Sequence, residues 1–267
     1  MPQVSIERRG GVAICTITNP PDGFMDSATV PELDAATKEL EADAAVRAVV
    51  FVGGVPGVFI RHYSVHELEA LSRQLRGQGV KVDTSLNIPE RALDVVYRRI
   101  EEMAKPCIAA MNGTAMGGGF ELALCCDIRI GEDGPYWYGL PEVNVGILPG
   151  AGGTQKLARL VGTARALEMT LRGRTVSPAE AELLGIVHEV APAGHALQRA
   201  IAIAEEIAAK PTRAVAHIKR LVRMTTGTPI ADGLPVERTL FLDLLVSDEA
   251  LELMHRMNEG SRDIRNP

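Results

Sequence analysis

Stretches with the composition of buried strands alternate with stretches of helical spacing through roughly the first 190 residues, and beyond them only helical spacing is found. Residues 47–52 (RAVVFV) and 106–111 (PCIAAM) are short, almost continuous apolar runs, the first closed by Gly53 and Gly54. Runs of this kind read as buried strands. Helices separate them. Leu33, Ala36, Leu40 and Ala44 share one face of a stretch that starts at Pro31, a second helix starts near Val65, and residues 89–103 turn Leu93, Val96, Tyr97 and Ile100 inward. Residues 4–8 and 12–18 flank Gly10 and Gly11 as a hairpin, and Pro20, Pro21, Asp22 and Gly23 lead the chain out of it. This alternation predicts an α/β fold. Residues 195–209, 212–224 and 236–257 then read as three helices with no strand after them. The expected division is a core over residues 1–193 and a helical region over 194–267. No internal repeat is visible in the sequence.

A chain of 267 residues buries roughly three quarters of the surface that its unfolded form exposes, so a sizeable core is available. The net charge of −6 argues against nucleic acid or an anionic membrane as partner, because both require a concentrated basic surface. Arg98 and Arg99 are the local exception and read as solvated. No apolar run approaches the roughly 20 residues of a membrane span. Cys15, Cys107, Cys125 and Cys126 sit in apolar surroundings without the spacing of a disulfide framework, and read as buried small hydrophobes in a reducing compartment. The first residues, MPQVSIERRG, contain no apolar signal core, and the expected location is the cytoplasm.

The stretch MGGGFE puts Gly117, Gly118 and Gly119 between the strand at 106–111 and the helical run FELALCC. A strand, a tight glycine turn and a helix start leave free N–H groups that can bind an oxyanion, and glycine lets a ligand approach the main chain without a Cβ in the way. Glu121 is expected in the first helical turn beside that hole. Alone, such a turn also serves close strand–helix packing, and a glutamate there also gains from the helix dipole. A second glycine turn follows Glu142 and opens the segment GILPGAGGTQKLARLVG. Two carboxylates near backbone donors suit addition of water to a polarised double bond, one taking a proton from water and the other delivering one to carbon.

The segments AAMNGTAMGGGFELALCCDIRI and LPEVNVGILPGAGGTQKLARLVGTARALEMTLRGRTVSPAEAELLGIVHEV, with VRAVVFVGG and KPCIAAMNG, resemble the enoyl-CoA hydratase/isomerase (crotonase) family. The likeness is close over about residues 97–192 and weaker over 1–75. It implies a spiral of repeated ββα units with a helical C-terminal region that serves oligomerisation or covers the site, assembled as a trimer or a dimer of trimers. It implies an acyl-CoA thioester as substrate and no cofactor beyond the coenzyme A that the substrate carries. Its thioester oxygen would lie between the backbone N–H groups of Tyr63 and Gly118, Glu121 and Glu142 would be the two catalytic acids, and Gly150 would help to hold the water. Isomerase members commonly keep only the later acid, so the presence of both favours hydration of the 2,3 double bond.

The first oxyanion-hole loop departs from the family pattern AFxAGADL: His62 stands at the glycine, Tyr63 at the amide-donating alanine and Ser64 at the aspartate. A backbone N–H remains at Tyr63, so the hole survives the change. Ser64 and Glu67 have the spacing of a capping box, and Tyr63 is placed either to staple onto Leu68 or to face the pocket. His62 is expected to line the substrate pocket. His62 and His66 with Glu67 imitate metal spacing, but His62 precedes the helix and no third ligand is in view, so no metal is expected. The C-terminal ELMHRMNEGSRDIRNP lacks the aromatic and lysine of the family's EGxxAFxEKRxPxF, so those coenzyme A contacts do not carry over. The leading reading is an enoyl-CoA hydratase. An isomerase, an aromatic acyl-CoA hydratase-lyase or a silent acyl-CoA-binding member stay open.

Overall fold

The computed structural model describes residues 2–265. The chain opens with the hairpin β1 (Val4–Arg9) and β2 (Val12–Ile17), paired antiparallel, and helix α1 (Thr29–Ala42). It continues through β3 (Ala48–Gly53), β4 (Gly57–Ile60), α2 (Val65–Gly77), α3 (Ala92–Glu102), β5 (Cys107–Met111), β6 (Gly113–Met116) and α4 (Gly117–Cys125). After these come β7 (Ile128–Glu132), β8 (Tyr138–Gly139), a 3-10 turn (Glu142–Val145), α5 (Gly153–Val161), α6 (Thr163–Leu171), β9 (Thr175–Val176), α7 (Pro178–Leu183) and β10 (Glu189–Ala191). Helices α8 (Ala196–Ala208), α9 (Thr212–Met224), α10 (Ile230–Leu245) and α11 (Asp248–Glu259) complete it.

Two sheets form, with strand orders β1-β2-β3-β5-β7-β10 and β4-β6-β8-β9. Successive strand pairs β3/β4, β5/β6 and β7/β8 each place one strand in either sheet before a helix follows, so a ββα unit recurs without any repeat in the residues. All pairings from β2 to β10 in the first sheet are parallel. β3 and β5 are buried along their whole length, as the continuous apolar runs require. Where β5 turns into β6, the Asn112 side chain donates to the Gly53 carbonyl at 2.8 Å and accepts from the Gly53 amide at 3.0 Å. This amide continues the backbone ladder at the point where the chain changes sheets. One core lies on the face of the large sheet that includes Phe51, Phe59, Tyr97, Phe120 and Tyr138, and a second lies under α8, where Ala196, Ala200 and Ala204 meet Val50 and Ile108.

Several local expectations need correction. The single helix read over 236–257 is two: Val246 ends α10, and the Ser247 hydroxyl caps α11 by accepting from the Ala250 amide at 3.2 Å. Arg99 is not solvated, because it reaches across to α1 and donates to Asp34 at 2.7 Å and Thr37 at 2.9 Å. Half of the capping box at Ser64 forms, with the hydroxyl accepting from the Glu67 amide at 3.3 Å. The return bond is absent, since the Ser64 amide donates to the Met25 carbonyl instead. All four cysteines are buried free thiols.

Candidate active site

Strand β6 leads directly into α4, which packs on β4, β6, α3 and α5, and every residue of this helix is buried. Gly117, with φ of +48°, makes the turn from strand to helix. Gly119 then lets the helix rest on β4, since a Cβ there would lie 2.1 Å from the Ile60 carbonyl oxygen. Gly118 between them is buried and faces the first loop. A Cβ on Gly118 would stand 3.5 Å from the Tyr63 Cβ and 3.6 Å from the Tyr63 amide nitrogen. The Gly118 amide lies in the first turn of α4, where no intrahelical carbonyl is within reach. The Tyr63 amide has no acceptor among the described residues, and its neighbours are pinned: the His62 carbonyl accepts from the Met25 amide at 2.9 Å, and the Ser64 amide donates to the Met25 carbonyl at 2.7 Å. Two unengaged N–H groups thus lie close to one another.

The phenol of Tyr63 has a fixed partner on α2. It donates to Glu67 Oε2 at 3.0 Å, and Glu67 in turn accepts from the amide and hydroxyl of Ser27 at 2.9 and 2.8 Å. Burial first and the Glu67 carboxylate second push this phenol up to about 12. His62 puts its Cβ 3.5 Å from where a Cβ on Gly117 would be, while its ring tilts onto Phe24 with centroids 4.6 Å apart. Its Nδ1 donates to the Tyr63 carbonyl at 2.7 Å. His66 is exposed, and no group of three or more potential metal ligands occurs among the described residues.

Glu121 stands in the second turn of α4, not the first, so the helix dipole does not explain it. Its Oε1 accepts from the Ala151 amide at 2.7 Å and the Gly153 amide at 2.8 Å. The second glycine turn therefore serves Glu121, although in sequence it follows Glu142. Burial pushes the Glu121 carboxyl up; the two amides, with Lys156 and Arg91, oppose this. Glu142 opens the 3-10 turn and reaches back to the first glycine turn, with its Oε1 3.1 Å from where a Cβ on Gly117 would be. Its Oε2 is buried without a hydrogen-bond partner, and burial, with a smaller contribution from Glu121, pushes its carboxyl up to about 7. The two acids thus lie near enough to act on each other, Glu142 beside the glycine turn that carries Gly118 and faces Tyr63, and Glu142 is the one pushed further up.

Against this geometry, an enoyl-CoA hydratase/isomerase family model matches residues 7–263. The chain belongs to the enoyl-CoA hydratase/isomerase family. A probable enoyl-CoA hydratase of Rhizobium meliloti (strain 1021) is 34% identical over 252 residues, covering 93% of this chain and 92% of that one. A probable enoyl-CoA hydratase of Bacillus subtilis (strain 168) is 36% identical over 243 residues, covering 90% of both chains. The crystal structure of an enoyl-CoA hydratase from Bacillus anthracis superposes with a TM-score of 0.86 at 29% identity, covering 96% of each chain. The crotonase-like fold of this family is the one described above.

In this family member the remaining parts of the cleft come from residues that sequence reasoning passed over. Tyr97, read only as an inward helix residue, donates to the Gly118 carbonyl at 2.5 Å. Arg91 at the N-cap of α3 bonds the Gly150 carbonyl and forms a paired interaction with Asp94 at 2.8 Å through both Nε and Nη2. The Gly150 amide, expected to hold water, has no acceptor among the described residues. The GAGG spacing announces the turn but not the side chain it binds, and Arg91 follows an exposed stretch outside any helix or strand, where no periodicity marks it.

Proposed function

We propose that this chain adds water across the 2,3 double bond of an enoyl-CoA thioester, with the Tyr63 and Gly118 amides holding the carbonyl oxygen. Glu121 accepts a proton as the water oxygen bonds to C3. The π electrons move toward the thioester oxygen, where the two amides hold the enolate charge. Glu142 then gives its proton to C2, and the carbonyl re-forms. Solvent returns the proton balance between the two acids. One observation carries this reading: the two carboxyl groups lie near enough to act on each other but are held differently. Glu121 is gripped by two N–H groups that favour its anion, while Glu142 has an oxygen with no donor and a titration near 7, which suits a proton donor. An isomerase needs only the later acid, so the buried, amide-held Glu121 favours hydration.

Gly150 would offer its free amide to the water, and His62 would line the acyl pocket beside Gly117. The Glu121→Gln and Glu142→Gln variants should each lower kcat for crotonyl-CoA hydration by about 10²–10⁴. The check is loss of enoyl absorbance, and a variant that keeps near wild-type turnover removes the two-acid assignment. The same assay with 3-enoyl and cinnamoyl thioesters separates isomerase and aromatic specificities. No cofactor beyond the substrate's coenzyme A is needed for these steps. We place the chain in the cytoplasm as a homotrimer or hexamer, divided into a core (1–193) and a helical region (194–267) for assembly or covering the site. Support comes from α10 and α11, which have no buried residues and expose Phe241, Leu242, Leu251 and Met254. The buried free thiols agree with a reducing compartment.

A further inference from the structure

The amides that hold Glu121 belong to a turn, and that turn is itself held by two cations. Arg91 bonds the Gly150 carbonyl at its entrance. Lys156, in the first turns of α5, closes it from the other side. The Lys156 amide donates to the Gly152 carbonyl at 2.9 Å, and a Cβ on Gly152 would lie 2.7 Å from the Lys156 Nζ. Gly152 has φ of +98° and sits between Ala151 and Gly153, the two residues that donate to Glu121. The ammonium is therefore packed against the middle of the segment that grips the acid.

Solvent does not set the place of this ammonium. Lys156 Nζ lies 3.2 Å from Glu101 Oε2, Glu101 Oε1 lies 3.1 Å from Arg223 Nη1, and Arg223 Nη2 lies 2.8 Å from Asp127 Oδ1. Lys219, almost fully buried, meets the other oxygen of Asp127 at 2.8 Å. Arg223 also donates to the Cys125 carbonyl at 2.8 Å, at the C-terminal end of the helix that carries Glu121. This ladder of alternating charge runs from α9 to the 150–153 turn along the wall of a cavity of about 530 Å³, which the two acids do not line.

We propose that Lys156 is a positioning residue for Glu121, seated by the Glu101–Arg223 pair so that the docking of α9 sets the turn on which the general base depends. The inference rests on the hydratase reading, in which Glu121 takes the proton from water. Glu121 is faced by Lys156 from α5, by Arg91 and Tyr97 from the start and body of α3, by Glu142 from the 3-10 turn and by Cys125 on its own helix. Lys156 and Arg91 favour its anion. Removing the Lys156 charge therefore makes Glu121 take up a proton at higher pH.

The test uses the full chain with Lys156→Gln, Lys156→Arg and Glu101→Gln, assayed on crotonyl-CoA from about pH 5 to about pH 9, with binding of unreactive butyryl-CoA measured beside it. Glu101 keeps Arg223 as partner when Lys156 is changed, so the first variant retains its ion-paired neighbours. Lys156→Gln should lower kcat about tenfold, change KM less than about twofold and move the acid limb of the rate profile to higher pH. Lys156→Arg should restore most of the rate, and Glu101→Gln should give a smaller loss in the same direction. An unmoved acid limb with kcat within about twofold of wild type overturns the proposal. So does a loss of rate matched by a loss of butyryl-CoA binding and not repaired by arginine, which is the behaviour of a residue that only supports the fold. A wild-type chain that hydrates no enoyl thioester removes the reaction assigned above and this inference with it; an active wild type with an unaffected Lys156→Gln removes this inference alone.

Discussion

A single oxygen atom distinguishes the two acids. Glu142 Oε2 is buried with no donor, while Glu121 Oε1 has two. Because its folded carboxyl titrates at about 7, Glu142 holds its proton more tightly in the native chain than in the unfolded one, where glutamate titrates near 4.3. The folded state is then favoured below the unfolded value, and that advantage is lost as pH rises through about 7. Glu142→Gln escapes the loss, because an amide never ionises. Its thermal midpoint should gain on that of the wild type between about pH 5 and about pH 8 by calorimetry, and an identical gap at both pH values would contradict the burial described for this carboxyl. If Glu142 is the proton donor proposed above, a pH profile of kcat/KM on crotonyl-CoA should fall on its alkaline side near pH 7, since a proton donor must carry its proton.

At the scale of elements, adjacent glycines of α4 answer to different physics. Gly119 is where the helix touches β4, and the 2.1 Å left between a Cβ and the Ile60 carbonyl cannot be relieved by rotating a side chain. Gly119→Ala should cost about 3 kcal/mol of stability in denaturant unfolding, or prevent folding, as overpacking against backbone does. Around Gly118 the nearest atoms to an added Cβ are at 3.5 to 3.8 Å, ordinary contact distances. Gly118→Ala should therefore fold with a nearly unchanged midpoint and keep its N–H, yet place a methyl group 3.6 Å from the Tyr63 amide nitrogen, where it obstructs the thioester oxygen and lowers kcat/KM for crotonyl-CoA. A stable and fully active Gly118→Ala would show that the thioester oxygen binds elsewhere. The break between α10 and α11 follows equally local rules, with Ser247 accepting from the Ala250 amide while Asp248 and Glu249 occupy the first turn.

Across the whole molecule, α10 and α11 have no buried residue, and with the outer face of α9 they leave Ile218, Val222, Phe241 and Leu242 exposed, an apolar surface that a lone chain in water does not favour. Phe241→Asp combined with Leu251→Asp should shift the particle in sedimentation from an assembly of several chains to one chain. If the wild type sediments as a single chain, the trimer or hexamer reading falls. The ladder through Asp127, Arg223, Glu101 and Lys156 belongs to this scale as well, because it joins residues that lie far apart in sequence.

The residues alone marked the opening hairpin, the two continuous apolar strands β3 and β5, and the helical run after β10, because apolar runs and helical periodicity are local properties; the short strands β4, β6, β8 and β9 carry too few residues for such a pattern. The residues also marked both glycine turns and both acids, and through family likeness the ββα spiral. Tertiary structure alone decided which turn serves which acid: Ala151 and Gly153 are about thirty residues from Glu121 in sequence and reach it only because α4 and α5 pack side by side. It also decided that the Tyr63 phenol turns to Glu67, that Tyr97 bonds the Gly118 carbonyl and that Arg99 reaches α1. Hydrogen bonds and burial depend on what lies across space from a side chain, and no spacing along the chain encodes that partner.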